Sequence, residues 1–280
     1  MQIFASGGYM KTRIIAGLAF VGLTAFCFLF GDITRLAYII FVAWVSCHEM
    51  VSQTKKAKKG ISVWQGFAFI ILFALIDIFK IRFDFIFYGL LVIMMLSFVE
   101  KILIKRNMTM EELFISMGVC IYPVAPIMMI FHICCLKSTY WPIMLVLPFV
   151  AVVFNDSVAL VSGMLFGKHK MAPHISPKKT IEGLIGGLIA GVIGGVFVFL
   201  LFYYCGWDTP SLLFCVIAAF VASIAGVFGD LAASAIKRDI DVKDFGKIIP
   251  GHGGMLDRID SSMFAIAAVY IAFHVVELFA

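Results

Sequence analysis

Apolar residues dominate this chain in long runs, separated by short polar segments. A helix that spans a bilayer needs about 20 mainly apolar residues, within a range of about 17–25. On that template the runs predict about nine spans. They fall roughly at Ile14–Phe30, Leu36–Val51, Ser62–Phe79, Phe83–Val99, Leu113–Ile133, Trp141–Met164, Ile181–Cys205, Ser211–Ala235 and Ser262–Phe279. The expected fold class is all-α: a polytopic integral membrane protein. Lys11 and Arg13 precede the first run without a small-residue cleavage site, so that run reads as a retained helix rather than a signal.

Composition supports this picture and narrows it. The 280 residues are 62% hydrophobic and 14% charged, whereas a soluble domain is about 45–50% apolar and about 25% charged. No loop is long enough for an independent soluble domain, and no nucleic-acid partner is expected. The seven cysteines form no CxxC pair and lie mostly inside apolar runs. They read as small core residues, neither a zinc site nor a disulfide framework.

The net charge of +5 is informative by position. With the N-terminus in the cytoplasm, 18 of the 22 Lys and Arg fall on inside segments. The exceptions are Arg35, Lys80, Arg82 and Lys137. That bias predicts an odd number of helices, with the N-terminus cytoplasmic and the C-terminus outside. The expected division is into N-terminal transmembrane helices, residues 1–110, and a C-terminal transmembrane region, residues 111–280, whose polar segments face the cytoplasm.

Gly183, Gly187, Gly191 and Gly195 recur every four residues in the seventh run. Such a stripe lets helix backbones approach closely in lipid. Packing within the monomer is favoured over a homodimer interface.

Two polar constellations interrupt the apolar pattern, and charged groups beside membrane spans are functional candidates. Asp156 lies inside the sixth run, and a basic loop with Lys168, Lys170, Lys178 and Lys179 follows it. Thr180 is placed to N-cap the next helix, with Gly183 at the third helical position. A helix start with clustered Lys is a ready anion site. The second constellation, Gly229–Ser261, gathers six Asp, three Lys and two Arg. Asp230, Ser234 and Lys237 share one helix face, and Asp257 and Asp260 share another. Gly251, Gly253 and Gly254 surround His252, and N–H groups freed by such glycines can approach a phosphate. Asp230 and Asp257 end and begin consecutive helices, a position from which they could converge on one metal. Carboxylates without thiolates favour a hard cation such as Mg²⁺. Together the groups describe nucleotidyl or phosphoryl transfer.

In this register the residues resemble the phosphatidate cytidylyltransferases. Ser234, Lys237, Arg238, Lys243, Asp244, Pro250, His252, Gly253, Gly254, Asp257, Arg258 and Asp260 match the pattern S-x-x-K-R, K-D, P-x-H-G-G, D-R-x-D. Asp156–Ser157 and the run from Ser176 to Gly187 are also similar to that family. The likeness covers roughly the C-terminal half. Ala233 stands where the family usually has an acidic residue, and Leu160 where it usually has an aromatic one.

The resemblance implies that CTP and phosphatidate react to CDP-diacylglycerol and pyrophosphate, with Mg²⁺ and room for a second cation such as K⁺. It implies metal ligation by Asp230, Asp257 and Asp260. It implies catalytic roles for Asp230, Lys237, Arg238, Lys243, Asp244, His252 and Arg258. Substrate contacts would come from Asp156, Ser176, Lys178, Lys179, Thr180, Ser234, Gly253 and Gly254. The implied place is the lipid bilayer of a bacterial inner membrane. Rival readings are a related enzyme on another lipid phosphate, a catalytically impaired paralogue, and a membrane transporter.

Overall fold

Every apolar run that the sequence marks is helical. The computed structural model describes residues 3–58, 60–136, 138–249 and 253–279, with side chains described between residues 15 and 275 of those ranges. The helices are α1 (Ile3–Leu29), α2 (Asp32–Ala57), α3 (Trp64–Ile78), α4 (Phe85–Leu103), α5 (Met110–Val119), α6 (Ala125–Cys135), α7 (Trp141–Phe166), α8 (Ile181–Tyr204), α9 (Leu212–Asp239) and α10 (Leu256–Phe279). Between α5 and α6 lies a π-helical segment, Cys120–Val124, where Tyr122 leaves helical geometry ahead of Pro123. Proline has no N–H to give to the helical ladder, so the break falls where the sequence allows it.

Among the described residues, seven helical segments are long and apolar enough to cross a membrane, with Met110–Cys135 taken as one; the apolar stretches Ile15–Leu29 and Trp64–Ile78 are shorter. The chain is an all-α polytopic membrane protein. Helix α10 begins at Leu256, earlier than the expected Ser262, because Asp257, Arg258 and Asp260 are absorbed into its first turns. Hydropathy excludes those residues from a span, whereas helical hydrogen bonding does not.

Two compact units divide the chain. The first is Met1–Cys135 with Asp239–Arg258, and the second is Leu136–Arg238 with Ile259–Ala280. In the first unit Phe69, Phe73, Ile127, Met128 and Phe131 form buried core. Phe245, from the segment 239–258, is fully buried there. The acid Glu100 is held within this unit by Ser62 Oγ and Trp64 Nε1, each donating at 2.7 Å, and by Lys105 Nζ at 3.4 Å.

In the second unit α7, α8, α9 and α10 share a core of Leu147, Ala151, Val198, Ala218, Ala222, Ala265 and Val269. The glycine stripe is spent inside this unit. A Cβ at Gly183 would stand 2.8 Å from the Ala159 carbonyl oxygen, and one at Gly187 would stand 2.6 Å from Asn155 Oδ1. Gly191 packs on Ser223 and Gly195 on Ala219. The opposite face of α8 exposes Ile185, Ile189 and Ile193, spaced by one turn.

Between α7 and α8 the chain forms a small antiparallel hairpin, β1 (Lys170–Ala172) with β2 (Ser176–Thr180). From sequence this stretch reads only as a loop. Glu182 ties the hairpin to α8: its carboxylate accepts from Lys168 N at 3.1 Å and His169 N at 3.2 Å, and lies 2.6 Å from His169 Nδ1.

Candidate active site

The second unit holds one polar centre. Strand β2 delivers Lys179 and ends at Thr180, whose hydroxyl accepts from Gly183 N at 3.1 Å and caps α8. Lys179 Nζ lies 2.7 Å from Asp230 Oδ2 on α9. That ammonium is shielded from solvent and meets no further acceptor among the described residues. An ammonium carries three donors, so two remain for another acceptor. Ser234, one turn on from Asp230, donates its hydroxyl to Asp230 Oδ1 at 3.4 Å. Asp156 on α7 lies within electrostatic reach of both Lys179 and Asp230. Its Oδ1 accepts from Asn155 Nδ2 at 3.1 Å. Asn155 is buried, in space left by the absent Cβ of Gly187. The glycine stripe thus lets this amide and Asp156 sit beside α8. Asp260 is buried, and its Oδ1 accepts from Ser261 N at 2.8 Å.

The first unit holds another centre, built on the segment 239–258. Asp257 Oδ2 accepts from Phe245 N at 2.8 Å and Gly254 N at 3.0 Å. Met255 N and Leu256 N donate to Glu49 on α2, at 3.0 and 2.9 Å. Hydrogen bonds to a charged acceptor contribute about 1.5–3 kcal/mol each. Glu49 is 3% exposed, so its carboxylate depends on these donors for the solvation it has lost. A Cβ at Gly254 would stand 2.5 Å from Glu49 Oε2, and one at Gly246 would overlap the same carboxylate. One turn along α2, Gln53 Nε2 donates to the Phe245 carbonyl at 3.0 Å. Gly253 has φ +85, a left-handed conformation that glycine adopts without strain, and its carbonyl accepts from Ile249 N at 3.0 Å.

The N–H of Gly254 is turned onto Asp257, and the next two N–H groups are turned onto Glu49. The start of α10 already holds internal carboxyl acceptors.

Residues 11–276 match the cytidylyltransferase family. The chain belongs to this family. It is 43% identical over 123 residues to a phosphatidate cytidylyltransferase of Staphylococcus haemolyticus, covering 44% of this chain and 46% of that one. A phosphatidate cytidylyltransferase of Thermotoga maritima is 39% identical over 124 residues, again 44% and 46% of the two chains. The chloroplastic phosphatidate cytidylyltransferase 4 of Arabidopsis thaliana is 43% identical over 137 residues, 48% of this chain and 34% of that one. The chain is thus aligned to about half the length of the bacterial relatives, or less.

As a cytidylyltransferase family member, the chain can be read residue by residue. Lys178, Arg238, Lys243, Asp244 and Arg258 are exposed, and Ser176, Ser234 and Lys237 are half-buried. Pro250, Gly251 and His252 lie outside the described residues, so the role expected of His252 has no geometry here. Of the two departures from the family pattern, Ala233 is fully buried and Leu160 is exposed on α7. Glu49 is absent from the sequence reading. Its signal was a lone acid within the apolar run Leu36–Val51, but nothing in the sequence ties it to residues beyond position 250.

Asp156, Asp230 and Asp260 in the second unit, and Asp257 in the first, offer carboxylate oxygens, the donor type that a hard cation takes. No group of three or more His, Cys, Asp or Glu side chains that could hold a metal is found among the described residues.

Proposed function

We propose that the chain is a phosphatidate cytidylyltransferase of a bacterial inner membrane, with its active site on the cytoplasmic face. A phosphatidate oxygen attacks the α-phosphorus of CTP, the bond to the β-phosphate breaks, and pyrophosphate leaves with the bonding electrons. The new phosphoanhydride is CDP-diacylglycerol. A phosphate monoester has its second pKa near ~6, so the nucleophile is largely ionised and needs no strong base. Catalysis is then alignment and charge neutralisation.

The observation that carries this reading is Lys179. It is a shielded ammonium with donors to spare, set against Asp230, within reach of Asp156 and beside a capped helix start. A phosphate oxygen supplies the acceptor that this ammonium lacks. Lys178, Lys237, Arg238, Lys243 and Arg258 bring further positive charge for a triphosphate and a lipid phosphate. On the sequence motif, Asp230, Asp257 and Asp260 are the carboxylates proposed for Mg²⁺, whose charge would offset that of the phosphates. A second, monovalent cation such as K⁺ belongs to the same proposal. The bias of Lys and Arg to one set of loops supports the cytoplasmic orientation, which gives the site access to CTP while the product stays in the bilayer.

The test is a lipid-acceptor assay on purified protein in mixed micelles. Labelled CTP is expected to yield a chloroform-soluble product that requires both Mg²⁺ and phosphatidate. Folded protein that forms no such product overturns the assignment.

A further inference from the structure

The N-terminal helices read from sequence as membrane anchorage, yet α2 reaches into the segment that carries Asp257 and Arg258. Glu49 gives both carboxylate oxygens to consecutive N–H groups, Met255 and Leu256, at the start of α10. Gly246 and Gly254 have no Cβ where one would strike that carboxylate. Gln53, four residues on and so on the same helix face, holds the carbonyl of Phe245. The Phe245 N–H goes to Asp257. The two α2 side chains therefore grip both sides of the turn whose conformation sets Asp257.

We propose that Glu49, assisted by Gln53, is a positioning residue for the transfer reaction. Its carboxyl serves as an internal acceptor at the N-terminus of α10, where a helix would otherwise favour a bound phosphate. Two consequences follow. Residues 253–258 are held in one conformation before substrate arrives. The substrate phosphates are left to the basic side chains, because backbone N–H groups at this helix start are already taken. The inference rests on the reading of the chain as a cytidylyltransferase for its activity arm, but not for its structural arm.

The experiment compares wild type with Glu49→Ala, Glu49→Gln and Gln53→Ala, each full length in lipid nanodiscs, by amide hydrogen exchange and by steady-state kinetics. In Glu49→Ala, residues 253–258 are expected to exchange at least about 10-fold faster, while α3 and α6 keep their wild-type rates. Turnover is expected to fall about 30-fold or more, with KM for phosphatidate within a factor of about two. Glu49→Gln keeps one carbonyl acceptor and is expected to fall between alanine and wild type, whereas a merely structural defect would lower the active fraction without this graded pattern. Unchanged exchange at 253–258 overturns the clamp whatever the activity. Raised exchange with turnover near wild type overturns the positioning role. If Glu49→Ala does not fold, Glu49→Gln and Gln53→Ala decide by the same two readouts. Wild type without transferase activity sinks the functional reading alone, since exchange still reports on the clamp.

Discussion

The two polar centres use the same residue types to opposite ends. In the first unit, Glu49 and Asp257 are satisfied by backbone N–H groups from Phe245, Gly254, Met255 and Leu256. Backbone donors cannot swing away without moving the chain, so this centre is a fixed frame. In the second unit, Asp230 is satisfied by side chains, the Lys179 ammonium and the Ser234 hydroxyl. Those partners sit on rotatable stems, and Lys179 has donors left over. Such a centre can exchange an internal ion pair for a ligand at modest cost. A fixed frame suits carboxylates that must be preorganised, and exchangeable partners suit a centre that admits a phosphate.

The contrast breaks most visibly at Asp257. Asp257→Ala removes the acceptor for two N–H groups and a carboxylate proposed for Mg²⁺. Turnover is expected to fall by about 1000-fold or more, the size of losing several charged contacts at a reacting centre. A rate near wild type would remove Asp257 from the site. Lys179→Met leaves Asp230 without its ion-pair partner. About 10–150-fold in kcat/KM is expected, corresponding to one charge-assisted contact of about 1.5–3 kcal/mol. Thermal stability should move little, because the side-chain centre is not a frame for the fold. A large stability loss with an intact rate would reverse the roles given to the two centres. The smallest effect is at the edge of the second centre, where Thr180→Ala removes the α8 cap. About 1 kcal/mol of unfolding free energy should be lost in a denaturant titration, with turnover within a few-fold of wild type.

Much of the fold is legible in the hydrophobic pattern, because long apolar runs in lipid have few options besides helices. The glycine spacing foretells close helix packing, which falls on α7 and α9, and Thr180 foretells its cap. These are local signals, read within one or two turns. What escaped is non-local or runs against hydropathy. Glu49 acts on residues more than two hundred positions away, so no spacing rule links them. Helix α10 starts among charges that a hydropathy window rejects. The β1–β2 hairpin is short and held partly by Glu182. The segment 239–258 joins the first unit through buried Phe245, a single aromatic residue within a polar stretch. At the site, residue types are readable from the motif, but partners are not. That Asp257 anchors a turn and that Lys179 pairs with Asp230 are facts of tertiary structure.

One measurement tests the central claim directly. CTP labelled either at the α-phosphate or at the γ-phosphate is incubated with the protein, Mg²⁺ and phosphatidate, and the chloroform phase is counted. Cytidylyl transfer predicts that the α-label enters the lipid while the γ-label stays in water as pyrophosphate. Label in the lipid from the γ-position, or from neither, would contradict the account.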